Sequence, residues 1–484
     1  MKGHTSHKNI LIFGSGPLGL MTYDVFKNDP SKSFEVIGFL DIDAIEEHKT
    51  VEGLKVYDLS EVTSDFVEEK SIEQIVIAVQ NVETAVLLDR CIQLSNLNLD
   101  LKIIPPIGEF VALEQIKDLK VDDLLSIKPS FDINPTLIDT YENQVLMITG
   151  AAGSIGSELT KMLFQYGHKA LILIDTAESP LYNLQQELIQ KGISNFKVVV
   201  ADIRDYNRMD HVFNLHKPKV VFHAAAYKHV PLMEEHPYEA VQVNVVGTKN
   251  IASLSVKHGV DKFIFISSDK AVNPTNVMGA TKRIAELYIN CLKGKGQTKL
   301  ITTRFGNVLN SSGSVVPLFK KQMDAGGPIT VTHRAIERYF MTISEACHLI
   351  LEAGSMGNGG EIFVFDMGKP IKIYDLAKLM IKLSGHRFPE DIDIKISGLR
   401  PGEKFNEELL TKDEHAKSTY HQKIRIAQSK PLPTEAIELK ILELCEKASK
   451  LQNLELVASI KAIVPEYVSN NSIFEILDST KKKL

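Results

Sequence analysis

Short apolar runs that end in glycine-rich turns occur twice along the chain, and helical spacing follows each turn. The first is "NILIFGSGPLG", where the apolar run leads into Gly14-x-Gly16-x-x-Gly19. The second is "NQVLMITGAAGSIGSEL", with glycines at every third position of the turn. Such glycines let a strand turn tightly into a helix and let the backbone approach a pyrophosphate. The pattern predicts two strand–turn–helix units of the kind that bind nucleotides.

The first unit continues as alternating strand and helix patterns. Candidate strands lie at 9–13, 35–40, 74–79 and 101–104. Alternation of this kind predicts a parallel, doubly wound sheet. Asp41 ends the second strand, where a carboxylate could hold a ribose. Because no acid–base cluster follows, we expect a structural, regulatory or vestigial nucleotide-binding role here rather than a working cofactor site.

The second unit places polar or small residues where its apolar strands end. "ALILID" ends in Asp175, at the distance from the glycines where a carboxylate binds the adenosine ribose. "VVVADIRD" places Asp202 where it could contact an adenine edge, and "VVFHAAAY" ends in small residues that leave room for a cofactor. No arginine directly follows Asp175, which favours NAD over NADP.

These patterns predict an α/β protein with two Rossmann-like, doubly wound parallel sheets. We place the N-terminal domain at 1–125, a connector at 126–143 and the second, larger domain with a smaller C-terminal substrate-binding part at 144–430. The last segment, 431–484, has helical apolar spacing and is predicted to be a packed helical appendage.

Composition narrows the functional classes. The chain has 484 residues, 44% of them hydrophobic and 24% charged, with a net charge of −6. This balance is ordinary for a globular protein and does not indicate nucleic-acid binding. The four cysteines are widely spaced, as in a reduced cytoplasmic protein. No apolar run approaches the roughly 18 residues that a membrane span requires.

One strand delivers a group of reactive side chains. "FIFISSDKAVNP" ends in Ser268, Asp269 and Lys270, at the strand end where open α/β sheets bind ligands. An ordinary solvated loop would also explain two adjacent charges. Their place at the carboxyl end of an apolar strand favours a chemical role.

Seven segments in order carry a resemblance to a known family: "TGAAGSIGSEL", "HAAAYKHVPLME", "NVVGTKN", "SSDKAVNPTNVMGATKR", "RFGNVLNSSGSVVPLF", "RYFMTISEA" and "RPGEKFNEELL". Residues from about 145 to 430 resemble the extended short-chain dehydrogenase/reductases that modify nucleotide sugars. More narrowly, they resemble the UDP-N-acetylglucosamine 4,6-dehydratases of bacterial polysaccharide and glycan biosynthesis. Large family members begin with transmembrane helices. We therefore expect either a naturally soluble relative or a truncated form, in the cytoplasm or at the inner face of the membrane.

The resemblance also concerns the residue at position 278. Short-chain enzymes usually carry Tyr-x-x-x-Lys here, whereas this chain has Met278-Gly-Ala-Thr-Lys282, and a thioether cannot transfer a proton. Large members of this family are similar in having methionine at this position. The resemblance therefore implies an active enzyme with a Ser–Met–Lys set rather than a degenerate one.

A 4,6-dehydratase oxidises C4 of the sugar with NAD(P), removes the C5 proton, expels the C6 hydroxyl as water and reduces C6. The resemblance implies that Asp269 is the acid at C6 and Lys270 the base at C5. The acid requires a raised pKa, which burial would supply and Lys270 would oppose. The base requires a lowered pKa, from desolvation or from Lys282. Either Asp269 or a water held by Lys282 could take the C4 proton.

The predicted sites are as follows. The catalytic set is Ser268, Asp269, Lys270, Met278 and Lys282, with Ser268 bonded to the C4 oxygen and Lys282 to the nicotinamide ribose. The cofactor residues are Gly150, Gly153, Ser154, Ile155, Gly156, Asp175, Asp202, Ile203, Ala224, Ala225, Ala226 and Lys282. The substrate residues are Lys228, His229, Asn307, Ser314, Arg338, Arg400 and Glu407. The arginines would bind a diphosphate, and Glu407 would face the uridine ribose.

The remaining expectations concern partners and rival functions. His223, His229 and His236 lack an acidic ligand at suitable spacing, so no metal is predicted. The expected partners are a UDP-sugar, a tightly bound and recycled NAD (or NADP) and further copies of the chain. Two rival functions stay open: a nucleotide-sugar 4-epimerase or reductase on the same fold, and a non-catalytic sensor of nucleotide sugars.

Overall fold

The computed structural model of the chain describes residues 7–41, 50–80, 82–97, 99–104, 113, 116–126, 134–411, 414–428 and 433–478. The chain divides into two compact units. The first comprises Met1–Ser130, Leu318–Ala335 and Ile371–Ile396, and the second comprises Phe131–Pro317, Ile336–Pro370 and Ser397–Leu484. The four-part division predicted from the sequence stays a prediction, and much of its connector lies outside the described residues.

The first elements in chain order are β1 Lys8–Phe13, α1 Pro17–Lys27, β2 Phe34–Asp41, β3 Thr50–Val51, β4 Leu54–Asp58, α2 Ser64–Glu69, β5 Ile72–Ile77, α3 Thr84–Ser95, β6 Asp100–Ile103, β7 Lys117–Asp118 and α4 Val121–Ser126. The next are α5 Pro135–Tyr141, β8 Val145–Thr149, α6 Ser154–Leu163, β9 Ala170–Asp175, α7 Glu178–Gln190, β10 Phe196–Val200, α8 Tyr206–His216, β11 Val220–His223, α9 Val230–Glu235, α10 Pro237–Ala240, α11 Thr248–Lys257, β12 Lys262–Ile266 and α12 Val277–Cys291. The last are β13 Lys299–Arg304, β14 Asn307–Val308, α13 Val315–Asp324, β15 Ile329–Val331, β16 Glu337–Arg338, β17 Phe340–Met341, α14 Ile343–Met356, β18 Ile362–Phe365, β19 Ile371–Lys372, α15 Ile373–Leu383, β20 Ile394–Ile396, β21 His415–Ser418, β22 Ile424–Gln428, α16 Thr434–Lys447 and α17 Asn453–Ile463.

The first unit contains a sheet with strand order β3-β4-β2-β1-β5-β6-β7. The five inner strands are parallel, and the short strands β3 and β7 pair antiparallel at the two edges. Residues 10–13 of β1 are fully buried, as expected for the central strand of a parallel sheet. The four strands predicted from the sequence correspond to β1, β2, β5 and β6.

The second unit contains a larger sheet with strand order β10-β9-β8-β11-β12-β13-β18-β22-β21. Its strands are parallel from β10 to β18, and β22 and β21 add antiparallel pairs. The chain order reverses between β8 and β11, the switch point where such sheets bind ligands. The predicted fold class of doubly wound α/β sheets is confirmed.

The apolar strands of the second unit are covered on both faces. Helix α12 is buried over most of its length and belongs to one apolar cluster with α16 and α17. The helical spacing predicted near the C-terminus thus forms two helices that pack on the second unit. None of the helices in the described ranges is both long and apolar enough to cross a membrane.

Candidate active site

The turn between β8 and α6 has the geometry predicted from its glycines. Gly150 has a φ of +71°, and a Cβ at this position would lie 2.6 Å from the backbone nitrogen of Ala225. Only glycine therefore allows this turn to pack against the end of β11. Helix α6 begins after Gly153 without a side-chain cap. Its first N–H groups remain available to a phosphate.

Two carboxylates follow the neighbouring strands. Asp175 ends β9 and accepts hydrogen bonds from the backbone N–H groups of Ala152 and Ala177, both at 2.9 Å. Each of its oxygens retains acceptor capacity for a hydroxyl group. Asp202, in contrast, is paired with Arg204, whose Nη2 lies 2.7 Å from the Asp202 Oδ2. The predicted contact of Asp202 with an adenine would have to compete with this ion pair.

The glycine turn and Asp175 fit a dinucleotide. The close approach of Gly150 to Ala225, the uncapped start of α6 and the fixed Asp175 carboxylate are the features that such a ligand requires. Ser154, at the start of α6, accepts a hydrogen bond from the Ser312 N–H at 3.1 Å. The individual cofactor contacts stay predictions.

The carboxyl end of β12 holds Asp269 in a buried position. The Asp269 N–H donates to the Phe305 carbonyl at 3.0 Å, which ties this turn to the end of β13. The Asp269 side chain is 1% exposed. Its Oδ1 accepts from the Ser268 hydroxyl at 2.9 Å and from the Lys270 ammonium at 3.1 Å. Its Oδ2 is buried without a hydrogen-bond partner among the described residues.

The Lys270 ammonium is surrounded by three acceptors. Its Nζ lies 3.1 Å from Asp269 Oδ1, 2.9 Å from Asn307 Oδ1 and 3.3 Å from Glu407 Oε1. We expected Glu407 to face a uridine ribose. Instead, its side chain is 2% exposed and its carboxylate is committed to Lys270. Glu407 therefore belongs to the reactive group around Asp269 and Lys270.

The protonation of this group differs in part from expectation. Burial raises the pKa of Asp269 and outweighs the opposing charge of Lys270, in the direction predicted for an acid. Burial alone would lower the pKa of Lys270, but the carboxylates of Asp269 and Glu407 raise it. The expected lowering of the Lys270 pKa was wrong. The sequence did not indicate that Glu407 lies beside this ammonium.

Met278 and Lys282 both lie on α12, next to β12. The Met278 side chain is buried in the apolar core of the second unit, and a thioether there cannot replace the hydroxyl of a tyrosine in proton transfer. The Lys282 Nζ donates to the Ile266 carbonyl at 2.8 Å and lies 4.6 Å from the centre of the Phe265 ring. Burial lowers the pKa of Lys282 to about 7. Lys282 can therefore change its protonation state near neutral pH.

The start of α12 is packed against the backbone of Lys270. Asn276 caps the helix by accepting from the Gly279 N–H at 2.7 Å, and its amide donates to the Gly402 carbonyl at 2.9 Å. A Cβ at position 279 would lie 2.1 Å from the Lys270 carbonyl oxygen. Glycine is required here because the helix approaches the catalytic turn so closely.

We expect Gly279→Ala to lower the free energy of unfolding by about 1–3 kcal/mol, because the methyl group must displace either α12 or the Lys270 backbone. Because the displacement would also move the turn that carries Asp269 and Lys270, it should lower any activity that depends on these two residues. Urea unfolding of the purified variant measures the first effect. An unfolding midpoint equal to that of the wild type would show that the contact between α12 and Lys270 is not as close as described.

The predicted substrate residues fall into two groups. Asn307, Arg338 and Glu407 lie around Lys270, with the Arg338 Nε 3.8 Å from the Glu407 Oε1. The Arg338 guanidinium also donates to the carbonyls of Glu337, Lys404 and Phe405. Three of the other predicted residues lie nearer the surface, since Lys228 and His229 are exposed and the Arg400 side chain is 55% exposed. The Ser314 hydroxyl, in contrast, is buried without a hydrogen-bond partner among the described residues.

The structure assigns Arg304 and His223 to the protein interior. Arg304 is fully buried and paired with Glu286 and Glu414, at 2.7 and 2.9 Å, so it is unsuited to bind substrate. His223 lies between the hydroxyls of Thr149 and Thr248, at 2.7 and 2.9 Å. Burial lowers the pKa of His223 to about 3, so it is neutral at physiological pH.

Sequence reasoning missed Glu286 and Asn244. Glu286 accepts from the Ser267 hydroxyl at 2.7 Å, next to the reactive turn. Asn244 bonds both the backbone N–H and the carbonyl of Tyr227, and its amide donates to the Thr281 hydroxyl at 3.1 Å. Glu286 follows Lys282 by one helical turn, which is the only local signal that could have indicated its place.

The part of the chain that contains this site is similar to known proteins. A family model described as polysaccharide biosynthesis protein matches residues 146–429, which include both the glycine turn and the Asp269–Lys270 pair. The probable polysaccharide biosynthesis protein EpsC of Bacillus subtilis (strain 168) is 40% identical over 438 residues, covering 88% of this chain and 72% of EpsC. A UDP-glucose 4-epimerase of Rickettsia rickettsii (strain Sheila Smith) is 35% identical over 286 residues, covering 57% of this chain and 81% of the epimerase. The X-ray structure of Pen from Bacillus thuringiensis has a TM-score of 0.56 and 33% identity, over 63% of this chain and 98% of Pen.

Proposed function

The chain belongs to this family of polysaccharide biosynthesis proteins, and we propose that it is a nucleotide-sugar 4,6-dehydratase that acts on UDP-N-acetylglucosamine. The observation that carries the proposal is the Asp269–Lys270 pair at the end of β12, in which Asp269 is buried and the Lys270 side chain is 19% exposed. An acid and a base side by side are what the removal of water across C5 and C6 requires.

The hydrogen bond between these two residues can generate both active forms. Transfer of one proton from the Lys270 Nζ to the Asp269 Oδ1, 3.1 Å away, leaves a neutral amine and a neutral carboxylic acid. Burial penalises both charged forms and favours the neutral pair, whereas the charges of Asp269 and Glu407, which raise the Lys270 pKa, favour the ion pair. Its raised pKa makes Lys270 a stronger base once it is neutral.

Each proton in the proposed elimination then has a donor and an acceptor. Lys270 takes the C5 proton and becomes an ammonium again, while Asp269 gives its proton to the C6 oxygen, which leaves as water. Oδ1 is hydrogen-bonded to Ser268 and Lys270, whereas Oδ2 has no partner among the described residues, so Oδ2 is the carboxyl oxygen free to carry this proton and donate it to the C6 oxygen. The elimination ends with the ion pair from which it began. When C6 is reduced, the Lys270 ammonium can return a proton to C5, and the proton released from the C4 hydroxyl then restores the ion pair.

We assign the cofactor as NAD on the fit of the glycine turn and Asp175. When bound, NAD supplies the oxidation and reduction at the sugar. Lys282 is proposed to hold the nicotinamide ribose, and Ser268 to hydrogen-bond the C4 oxygen. Ser268 is already bonded to Asp269 at 2.9 Å, so its hydroxyl is oriented towards the reacting group.

A 4-epimerase is the second candidate, because a relative with 35% identity is named UDP-glucose 4-epimerase. Epimerisation at C4 needs no proton transfer at C5 or C6. The buried acid–base pair would therefore have no task in an epimerase, which is why we favour the dehydratase.

We expect the purified chain to convert UDP-N-acetylglucosamine, with NAD in deuterated water, into a product lighter by one water and carrying one solvent deuterium at C5. Mass spectrometry before and after the incubation measures this directly. A product of unchanged mass would indicate the epimerase. Binding of the UDP-sugar without any conversion would indicate a non-catalytic sensor.

A further inference from the structure

Glu407 itself neither gives nor takes a proton in the proposed elimination. Its Oε1 lies 3.3 Å from the Lys270 ammonium, and its Oε2 is buried without a hydrogen-bond partner among the described residues. The Arg338 Nε lies 3.8 Å from the Glu407 Oε1. Lys404, which belongs to the same segment as Glu407, contributes a further positive charge. Because the Glu407 carboxylate is buried beside the pair, its negative charge affects every proton transfer between Asp269 and Lys270.

We propose that Glu407 is a positioning residue, which holds the Lys270 amine in place and raises the proton affinity of the Asp269–Lys270 pair. The inference rests on the proposed acid–base role of that pair. A negative charge raises the proton affinity of any group near it, whether that group is an amine or a carboxylate. Glu407 is close to both members, so its effect on both has the same sign.

The surrounding charges support this assignment. Burial alone would raise the pKa of Glu407, but Lys270, Arg338 and Lys404 lower it, so Glu407 stays ionised while Asp269 can be protonated. Glu403, a partly buried carboxylate of the same segment, is engaged by Arg338 at 3.3 Å. Glu407 is therefore the carboxylate that stays ionised beside the pair, whichever of its two members holds the shared proton.

The Asp269–Lys270 pair is active when its two members share one proton. The rate should therefore fall at low pH, where the pair gains a second proton, and at high pH, where the pair loses its last proton. In Glu407→Gln we expect both limbs of this bell-shaped profile to move to lower pH by about one pH unit or more. On the alkaline limb this corresponds to a loss of about tenfold in rate at a fixed pH. A purely structural defect would lower the whole profile without moving its limbs.

Two further variants separate charge from packing. Glu407→Asp keeps the charge and should keep both limbs near their wild-type positions, even if the shorter side chain lowers the maximal rate. Glu408→Gln removes a neighbouring carboxylate that is 47% exposed and pairs with Lys404 at 3.8 Å, and it should leave the profile unchanged. Limbs that coincide in wild type and Glu407→Gln would overturn the inference.

A measurement without substrate keeps this test independent of the proposed reaction. The infrared band of the protonated Asp269 carboxyl group, isolated as the difference between wild type and Asp269→Asn, should disappear at lower pH in Glu407→Gln than in the wild-type background. An unchanged midpoint would overturn the inference even if the enzyme proves to be a dehydratase. A shifted midpoint in a protein that removes no water would support it while contradicting the proposed function.

Discussion

Replacing Asp269 with asparagine is expected to lower the rate of water elimination by about 10²- to 10⁴-fold. Asparagine has nearly the same shape and can still accept through its carbonyl oxygen the hydrogen bonds that Ser268 and Lys270 donate to Asp269 Oδ1. It cannot give a proton to the C6 oxygen. The loss should therefore arise in the chemical step, with little change in the folding of the protein.

The measurement is the initial rate of the product that is lighter by one water, at saturating UDP-N-acetylglucosamine. The matched control is Asp261→Asn, since Asp261 directly precedes β12 at its opposite end and its side chain is 60% exposed. That variant should retain the wild-type rate. An Asp269→Asn enzyme within tenfold of the wild type would remove Asp269 from the role of acid.

The same variant can separate the acid from the base. If Lys270 still exchanges the C5 proton, substrate recovered from deuterated water should carry deuterium although no water has been lost. Lys270→Met should show neither exchange nor elimination. Absence of exchange in Asp269→Asn would indicate that Asp269 is needed before the C5 step, for example at the C4 hydroxyl.

The parts of the fold that could be predicted depend on local patterns. Apolar runs followed by glycines predicted β1 and β8 and their helices. A parallel strand that is buried on both faces requires an apolar run and a tight turn requires glycines, so both are recognisable from about 20 residues of sequence. The place of Asp269 and Lys270 at the end of β12 was predictable for the same reason. The direction of the Asp269 pKa was expected from the acid role that the resemblance implies, and burial of the side chain is its cause.

The other features depend on contacts between distant segments. Glu407 reaches Lys270 from a segment that follows β20, and no spacing in the sequence relates the two. The Lys270 pKa was therefore predicted in the wrong direction. Arg304 ends β13, and its partners Glu286 and Glu414 come from α12 and from the start of the β21–β22 hairpin. Ion pairs of this kind appear only when the sheet has been assembled.

That buried ion-pair network should make Arg304 important for the stability of the second unit. We expect Arg304→Met to lower the free energy of unfolding by about 3–5 kcal/mol, because two buried carboxylates lose their main partner. Methionine is flexible and similar in length, so loss of packing should contribute little. Urea unfolding measures the effect. The control is Arg425→Ala, whose exposed pair with Asp366 should contribute about 0–1 kcal/mol.

The pH dependence of the difference in unfolding free energy between the wild type and Arg304→Met identifies the cause of that difference. Burial alone would raise the pKa of Glu286, but Arg304 and Arg283 lower it from its ordinary 4.5 to about 2. A lowered folded-state pKa stabilises the protein above the ordinary value, and this contribution is lost as the pH falls towards 2. The deficit of Arg304→Met should therefore be largest above pH 4.5 and shrink towards pH 2. A deficit that stays constant over this range would assign the effect to packing, because a cavity does not titrate.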